Sequence, residues 1–320
     1  MRFGSLFSGA GGMDLGLEKA GWELCWQVEN DPACQQVLQH NWPFVQKWFD
    51  ITNLDGARLE PVDVIAFGSP CQDLSIAGNQ KGLDGENSQL FYDATRVIKE
   101  MLDATNGQFP KWAIWENVTG ALTSNGGSDF ERVIGEMENL GAHVIEWTVL
   151  DAQFFGVPHR RKRIFLVACF DYFAARRCRT KIFPITEGNR RYPPPVGKAK
   201  TDNPRFSQNH YGEGAVAANF RPALPCLTAN VYHKGTFNVQ DFSSGFFVLY
   251  DDPPALRKLT PLECERLMGW PDQHTKHRAD GKTNLDSVRY KMCGNGVVAP
   301  VATWVAQQLE KASDGLYRVG

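Results

Sequence analysis

No run of eighteen apolar residues occurs anywhere in the 320-residue chain, so no membrane-spanning helix is expected. The eight cysteines are scattered, and no two have CxxC spacing. That pattern suggests neither a zinc site nor a disulfide framework and fits a reducing, cytoplasmic setting. No internal repeat is visible, which argues against a solenoid or a propeller. The opening residues, Met1 to Phe7, enter a strand pattern at once and lack the shape of a signal peptide. A large charge of one sign is missing too, since the net charge is only −2.

That small net charge conceals a segregation. His159 to Arg205 carries thirteen Lys/Arg against Asp171, Glu187 and Asp202, a net +10 that leaves −12 elsewhere. Such a stretch suits a polyanion-facing surface, or equally a solvated face balanced in space by acids from other segments.

What the chain does have is a 42% hydrophobic content, enough for one large domain with a smaller one beside it. The reading is organised around Gly68-Ser69-Pro70-Cys71-Gln72. The apolar run Val62 to Phe67 reads as a buried strand that delivers Cys71 to the rim of a sheet. Open α/β sheets place ligands at that rim. A cysteine there is a candidate nucleophile, although free cysteines more commonly fill cores.

Neighbouring strand ends carry further features. Arg2 to Phe7 runs into Ser8-Gly9-Ala10-Gly11-Gly12-Met13-Asp14 and a helix stopped by Gly21. A strand, a glycine-rich turn and a helix N-terminus form a cofactor cradle. Asp14 stands where the last glycine of GxGxxG belongs, which favours a nucleoside-like ligand over a dinucleotide phosphate. A second strand, Leu24 to Val28, ends at Glu29-Asn30, an acid suited to ribose hydroxyls. A third, Val45 to Phe49, ends at Asp50-Ile51, an acceptor for an exocyclic amine beside an apolar surface for a ring.

After Cys71, the polar stretch Asp73 to Ser88 reads as a long loop, a candidate lid. A helix is expected from Ser88 to Ala104 and another from Ser128 to Leu140. The strand Trp112 to Trp115 ends at Glu116-Asn117-Val118. Strands His143 to Leu150 and Ile164 to Ala168 flank His159-Arg160-Arg161-Lys162-Arg163, where alternation puts Arg161 and Arg163 on one face. Residues 186 to 245 are rich in Gly, Pro, Asn and Arg and read as a small irregular lobe. Regular structure resumes at Thr260-Pro261-Leu262-Glu263, a capping box. Tyr290 to Val297 reads as a glycine turn before a last helix, Ala299 to Leu309, that packs back on the first domain.

Phe7-Ser8-Gly9-Ala10-Gly11-Gly12, Pro70-Cys71-Gln72, Glu116-Asn117-Val118, His159 to Arg163 and Gly294-Asn295-Gly296-Val297 follow one another in the order and spacing of the cytosine-5 DNA methyltransferases. The chain resembles the compact bacterial and phage members, except across roughly residues 180 to 255. The resemblance implies an α/β fold: a Rossmann-like domain for S-adenosylmethionine with a small irregular target-recognition domain. The expected division is 1–180 catalytic, 181–258 target recognition and 259–320 packing back. The resemblance further implies a cofactor pocket made by Phe7, Gly9, Ala10, Gly11, Gly12, Glu29, Asn30, Asp50, Ile51, Pro70, Leu90, Asn295 and Val297. Cys71 would add to the base as nucleophile, Glu116 would protonate N3, Arg163 would bind O2 and Arg161 would support the loop. Duplex DNA is the implied partner, with a cognate restriction endonuclease as a further one, and the chain is expected to be a monomer. The family usually has glutamine where this chain has His159, a change expected to bring pH sensitivity near neutrality. Alternatives left open are a tRNA substrate, a catalytically dead DNA-binding module and a modified cofactor.

Overall fold

The computed structural model describes residues 1–70, 89–177, 182–183, 247–251 and 254–313, with the backbone path alone for 247–251 and 254–257. Cys71, the Asp73 to Ser88 loop and most of the irregular lobe lie outside these residues.

Seven strands make one sheet in the order β3-β2-β1-β4-β5-β7-β6. They are β1 Arg2–Leu6, β2 Glu23–Val28, β3 Gln46–Trp48, β4 Val64–Phe67, β5 Trp112–Val118, β6 Val144–Asp151 and β7 Lys162–Cys169. β1 to β5 are parallel, and β7 runs antiparallel between β5 and β6. Helices cover both faces, so the central strands are buried on both sides and read as unbroken apolar runs. On one face Phe3, Val64, Ala66, Trp112 and Ile114 pack with α1 (Gly12–Lys19) and the C-terminal helix Ala299–Ser313. On the other, Leu6, Ile65, Phe67, Ala113 and Trp115 meet α3 (Gln89–Ala104) and α4 (Ser128–Asn139). The chain reverses direction across the sheet between β1 and β4, and a crevice opens at such a switch point. The Phe7–Gly11 turn and the Gly68–Pro70 turn leave the sheet side by side there.

Gly4 shows how tightly this core is built. A Cβ on it would lie 2.1 Å from the ring of Trp26, which is fully buried. Gly4→Ala is expected to destabilise the fold by ~1–3 kcal/mol through overpacking, read as a lower denaturation midpoint in a chemical melt.

Several elements differ from the sequence reading. α2 (Pro32–Asn41) was not expected, although Asp31 caps it by accepting from the Ala33 and Cys34 N–H groups, and Pro32 opens it. Tyr290 to Asn295 is not a turn but the end of a helix, Asp286–Asn295, and only Gly296 and Val297 of the expected turn lie beyond it. The last helix runs on to Ser313, four residues past the expected end. Within the lobe read as irregular, β8 (Phe247–Asp251) and β9 (Pro254–Lys258) pair as an antiparallel hairpin. α5 (Tyr172–Arg177) was also missed.

The C-terminal segment seats on the first domain through α1. Ala299 and Ala302 crowd against Gly16, and Thr303 Oγ1 donates to the Gly16 carbonyl. Trp22 Nε1 donates to Glu310 at 2.6 Å. Among the described residues no helix is long and apolar enough to cross a membrane, and no cluster of three metal-ligating side chains occurs.

Candidate active site

The turn after β1 is held in an unusual backbone conformation. Phe7 has φ 54°, Gly9 57° and Gly11 84°. A left-handed φ at a phenylalanine costs energy and persists only where the surroundings enforce it. Ser8 N donates to the Val28 carbonyl at 3.0 Å and Gly11 N to the Ser8 carbonyl at 2.8 Å. Gly11 also allows Trp42 to pack against the turn, since a Cβ there would lie 2.4 Å from its ring. Gly12 rests on the Val297 carbonyl in the same way, and Ala10 is buried between these contacts.

Glu29, at the end of β2, joins two loops. Its Oε2 accepts from Gly9 N and its Oε1 from Asp31 N, each at 2.7 Å. Burial raises its pKa while these N–H groups pull it back. A carboxylate can accept at both oxygens, as a pair of vicinal hydroxyls would require. Nothing within 4 Å would meet a Cβ on Gly9, so there is room beside the carboxylate. These acceptor oxygens and this space fit the ribose hydroxyls of a nucleoside cofactor. Asn30 is exposed on the same rim.

Asp50 accepts from Thr52 N, Thr52 Oγ1 and Asn53 Nδ2, which lower its pKa and hold it ionised. Ile51 is buried behind it, and its carbonyl accepts from Arg96 of α3 at 2.6 Å. Arg96, which the sequence reading passed over, ties the loop after β3 to α3. Pro70 and Leu90 are half-buried, Val297 is half-buried and Asn295 is exposed. All but Leu90, Asn295 and Val297 lie in the loops at the carboxyl ends of β1 to β4.

The strand end that leads to Cys71 is clamped from β5. Ser69 Oγ accepts from Trp115 Nε1 at 3.0 Å and from Asn117 Nδ2 at 3.3 Å. The Ser69 carbonyl accepts from the same amide at 3.2 Å. Ser69 and Asn117 were quoted in the motifs but given no task, and only the fold reveals one. Glu116, beside them, is buried with its Oε2 3.3 Å from where a Gly68 Cβ would stand. Burial raises its pKa, opposed by the charges of Arg163 and Arg161. Arg163 Nε lies 3.2 Å from Glu116 Oε1.

Arg161 and Arg163 bond to different partners, the first to the C-terminal segment and the second to Glu116. Arg161 is buried and turns to the C-terminal segment, donating to the carbonyls of Gly294 at 3.0 Å and Gly296 at 2.6 Å. Asp14, in the place of the missing glycine, is fully buried, accepts from Gln27 at 2.6 Å and has its carboxyl pushed up to about 6 by burial.

His159 corrects an expectation. It is completely buried, and burial together with Arg161 and Arg163 pulls its pKa to about 3, so it stays neutral around pH 7. Because the folded value lies below the ordinary 6.5, the associated stability is complete above 6.5 and is lost as pH falls toward 3. His159→Gln removes that ionisation. Between pH 7 and pH 5 the wild-type chain is expected to lose about 2 kcal/mol more than the variant, checked by urea unfolding at both pH values.

Among the described cysteines, burial pushes Cys34 and Cys293 well up and Cys264 to about 12. Such thiols are inert.

Comparison with known proteins agrees with this geometry. The family described as C-5 cytosine-specific DNA methylase matches residues 1–201 and 198–311. The chain is 29% identical to Type II methyltransferase M.Bsp6I of Bacillus sp. (strain RFL6), covering 98% of this chain and 99% of that protein. It is also 29% identical to Type II methyltransferase M2.BsuMI of Bacillus subtilis (strain 168), over 97% of this chain and 76% of that one. In fold it resembles the crystal structure of the S. pombe Dnmt2 methyltransferase, with TM-score 0.66 at 18% identity, covering 97% of this chain and 98% of the other. With its whole length matched in this way, the chain belongs to the C-5 cytosine-specific DNA methylases, which move a methyl group from S-adenosylmethionine to carbon 5 of cytosine in DNA.

Proposed function

We propose that the chain methylates a cytosine flipped out of a specific duplex DNA sequence, through a covalent bond from Cys71 to carbon 6. The observation that carries this reading is the clamp on Ser69 beside the buried Glu116–Arg163 pair. Cys71 follows that clamped turn by two residues and itself lies outside the described residues.

Carbon 5 of cytosine is too weak a nucleophile to take a methyl group directly. Addition of the Cys71 thiolate to carbon 6 makes the ring an enamine and carbon 5 nucleophilic. Negative charge then builds toward N3. Glu116, whose pKa burial raises, holds a proton for that atom, and Arg163 supports O2 while keeping the carboxyl in place. Arg161 keeps the Gly294–Gly296 loop at the pocket rim. S-adenosylmethionine, when bound, supplies the electrophilic methyl. Glu29 would hold its ribose, Asp50 and Ile51 its adenine, and Phe7, Gly9, Ala10, Gly11, Gly12, Asn30, Pro70, Leu90, Asn295 and Val297 would line the rest. Loss of the carbon 5 proton and expulsion of the thiolate then release the product.

A stacked cytosine hides these atoms, hence the flip. The division into 1–180, 181–258 and 259–320 gives the base-reading surface to the middle segment, with the basic stretch on phosphates. The relatives' designation as Type II methyltransferases supports duplex DNA as substrate and a cognate endonuclease as companion.

Nucleoside mass spectrometry on DNA and RNA from a host without cytosine methylation tests the reading. Expression of the chain should produce 5-methyldeoxycytidine in DNA and leave RNA unmarked. A mark confined to RNA would overturn the substrate assignment.

A further inference from the structure

His274 lies in the loop after Trp270 and received no task from sequence or from the reaction. It is buried, with its ring edge-on to Trp42 at 5.8 Å and to Trp270 at 5.4 Å. Its Nε2 stands 2.6 Å from the carbonyl oxygen of Ala10, in the turn after β1 and 264 residues away in sequence. Its Nδ1 stands 3.3 Å from Asn41 Nδ2, which also donates to the His274 carbonyl at 3.1 Å.

These contacts fix the tautomer. A carbonyl can only accept, so the Asn41 atom shared by the His274 carbonyl and Nδ1 is the amide nitrogen, and Nδ1 must accept from it. The ring proton is therefore on Nε2 and is donated to Ala10. Burial also draws the imidazole below its ordinary pKa, which favours this neutral form.

The loop itself is rigidly mounted. On either side of His274, Gln273 N and Thr275 N donate to the two oxygens of Glu265, at 2.8 and 2.9 Å. Glu265 is fully buried and paired with Arg289 at 3.0 Å. A second tie runs beside it, from Lys291 to the α2 cap Asp31, whose N–H holds Glu29. The C-terminal segment thus grips the turn from outside, adding to the Gly11–Ser8 and Ser8–Val28 hydrogen bonds that hold it locally.

We infer that His274 is a positioning residue for S-adenosylmethionine: its Nε2–H holds the Ala10 carbonyl and so sets the Gly9–Gly11 turn against Glu29. The inference rests on the reading of that turn as the cofactor site.

Three substitutions separate the hydrogen bond from mere packing. Glutamine places an amide N–H where Nε2–H was, asparagine places one near Nδ1, and alanine places none. Calorimetric titration of the full chain with S-adenosylmethionine, without DNA, reads the affinity. His274→Ala and His274→Asn should bind about tenfold more weakly, the usual worth of one buried hydrogen bond. His274→Gln should stay within about twofold of the wild type. In turnover, KM for the cofactor should rise in the first two while kcat at saturation and KM for DNA hold. Wild-type affinity in the alanine and asparagine variants would overturn the inference, as would a glutamine variant as weak as alanine. Should His274→Ala fail to fold, the glutamine–asparagine contrast decides alone. Glu29→Ala serves as the control. If it loses cofactor binding while the His274 variants keep theirs, His274 has no positioning task. If it binds as the wild type does, the assignment of the turn falls and takes the inference with it.

Discussion

Cys71→Ala should abolish methyl transfer, at least about 10⁴-fold, because the proposed step needs the thiolate to turn cytosine into an enamine. Binding should survive, since neither Glu29 nor the turn after β1 depends on the thiol. Two measurements separate the effects. Calorimetry should give the same affinity for S-adenosylmethionine in both proteins, and incorporation of labelled methyl into DNA should vanish in the variant alone. The covalent bond has its own signature. A cytosine with fluorine at carbon 5 has no proton to lose after methylation, so the adduct cannot collapse. On a duplex carrying that base at a mapped site, the wild-type protein should yield a complex that survives denaturation and the alanine variant none. Methylation continuing at the wild-type rate in Cys71→Ala would sink the mechanism. Cys34, Cys264 and Cys293 offer no substitute, as they are buried thiols with raised pKa values.

The residues that act through local spacing were legible in the chain, and those that act across it were not. Val64 to Phe67 shows itself as a strand because both faces are buried and every residue is apolar. The motif residues at the ends of β1, β2 and β4 could be placed on one rim because a parallel sheet leaves its loops there. His274 carries no comparable signal. Its partner is 264 residues away, and a histidine between Trp270 and the next helix looks like any core histidine. Arg161 illustrates a partial reading. Alternation in a strand entry puts it on the same side as Arg163, yet Arg161 precedes β7 (Lys162–Cys169), where the strand rule has no hold, and its guanidinium turns to Gly294 and Gly296 instead. The helix Asp286–Asn295 was hidden by its own ending, since Gly294 and Asn295 are poor helix formers that tertiary packing holds in place. α2 is the opposite case: Asp31-Pro32 is a strong start signal, and it went unused. The pH behaviour of His159 could not be read from spacing at all, because it follows from burial beside two arginines.

Glu116→Gln gives the second large effect, a loss in kcat of about 10²–10⁴-fold, the range for removing a general acid. Glutamine keeps the shape and can donate to N3, but it has no proton to transfer as charge builds on the ring. Arg163 would keep an acceptor in the amide oxygen, so the fold should be little disturbed. The pH profile makes the test specific. In the wild-type chain burial raises the Glu116 pKa, and the proposed mechanism uses its protonated form. Activity should therefore fall on the alkaline side as the carboxyl ionises, while the acid side falls as the Cys71 thiolate is lost. In Glu116→Gln the alkaline fall due to the carboxyl should disappear and the acid side remain. Cofactor affinity should not change, because Glu116 pairs with Arg163 and packs by Gly68 rather than bonding to Glu29. A variant with the wild-type rate and an unaltered alkaline limb would show that the N3 proton comes from elsewhere. A variant that lost activity and cofactor affinity together would show that Glu116 shapes the pocket rather than the reaction. Burial raises the Glu116 pKa and the neighbouring Arg163 guanidinium limits how far it can climb, so a lost rate, a missing alkaline limb and unchanged cofactor affinity are the expected results together.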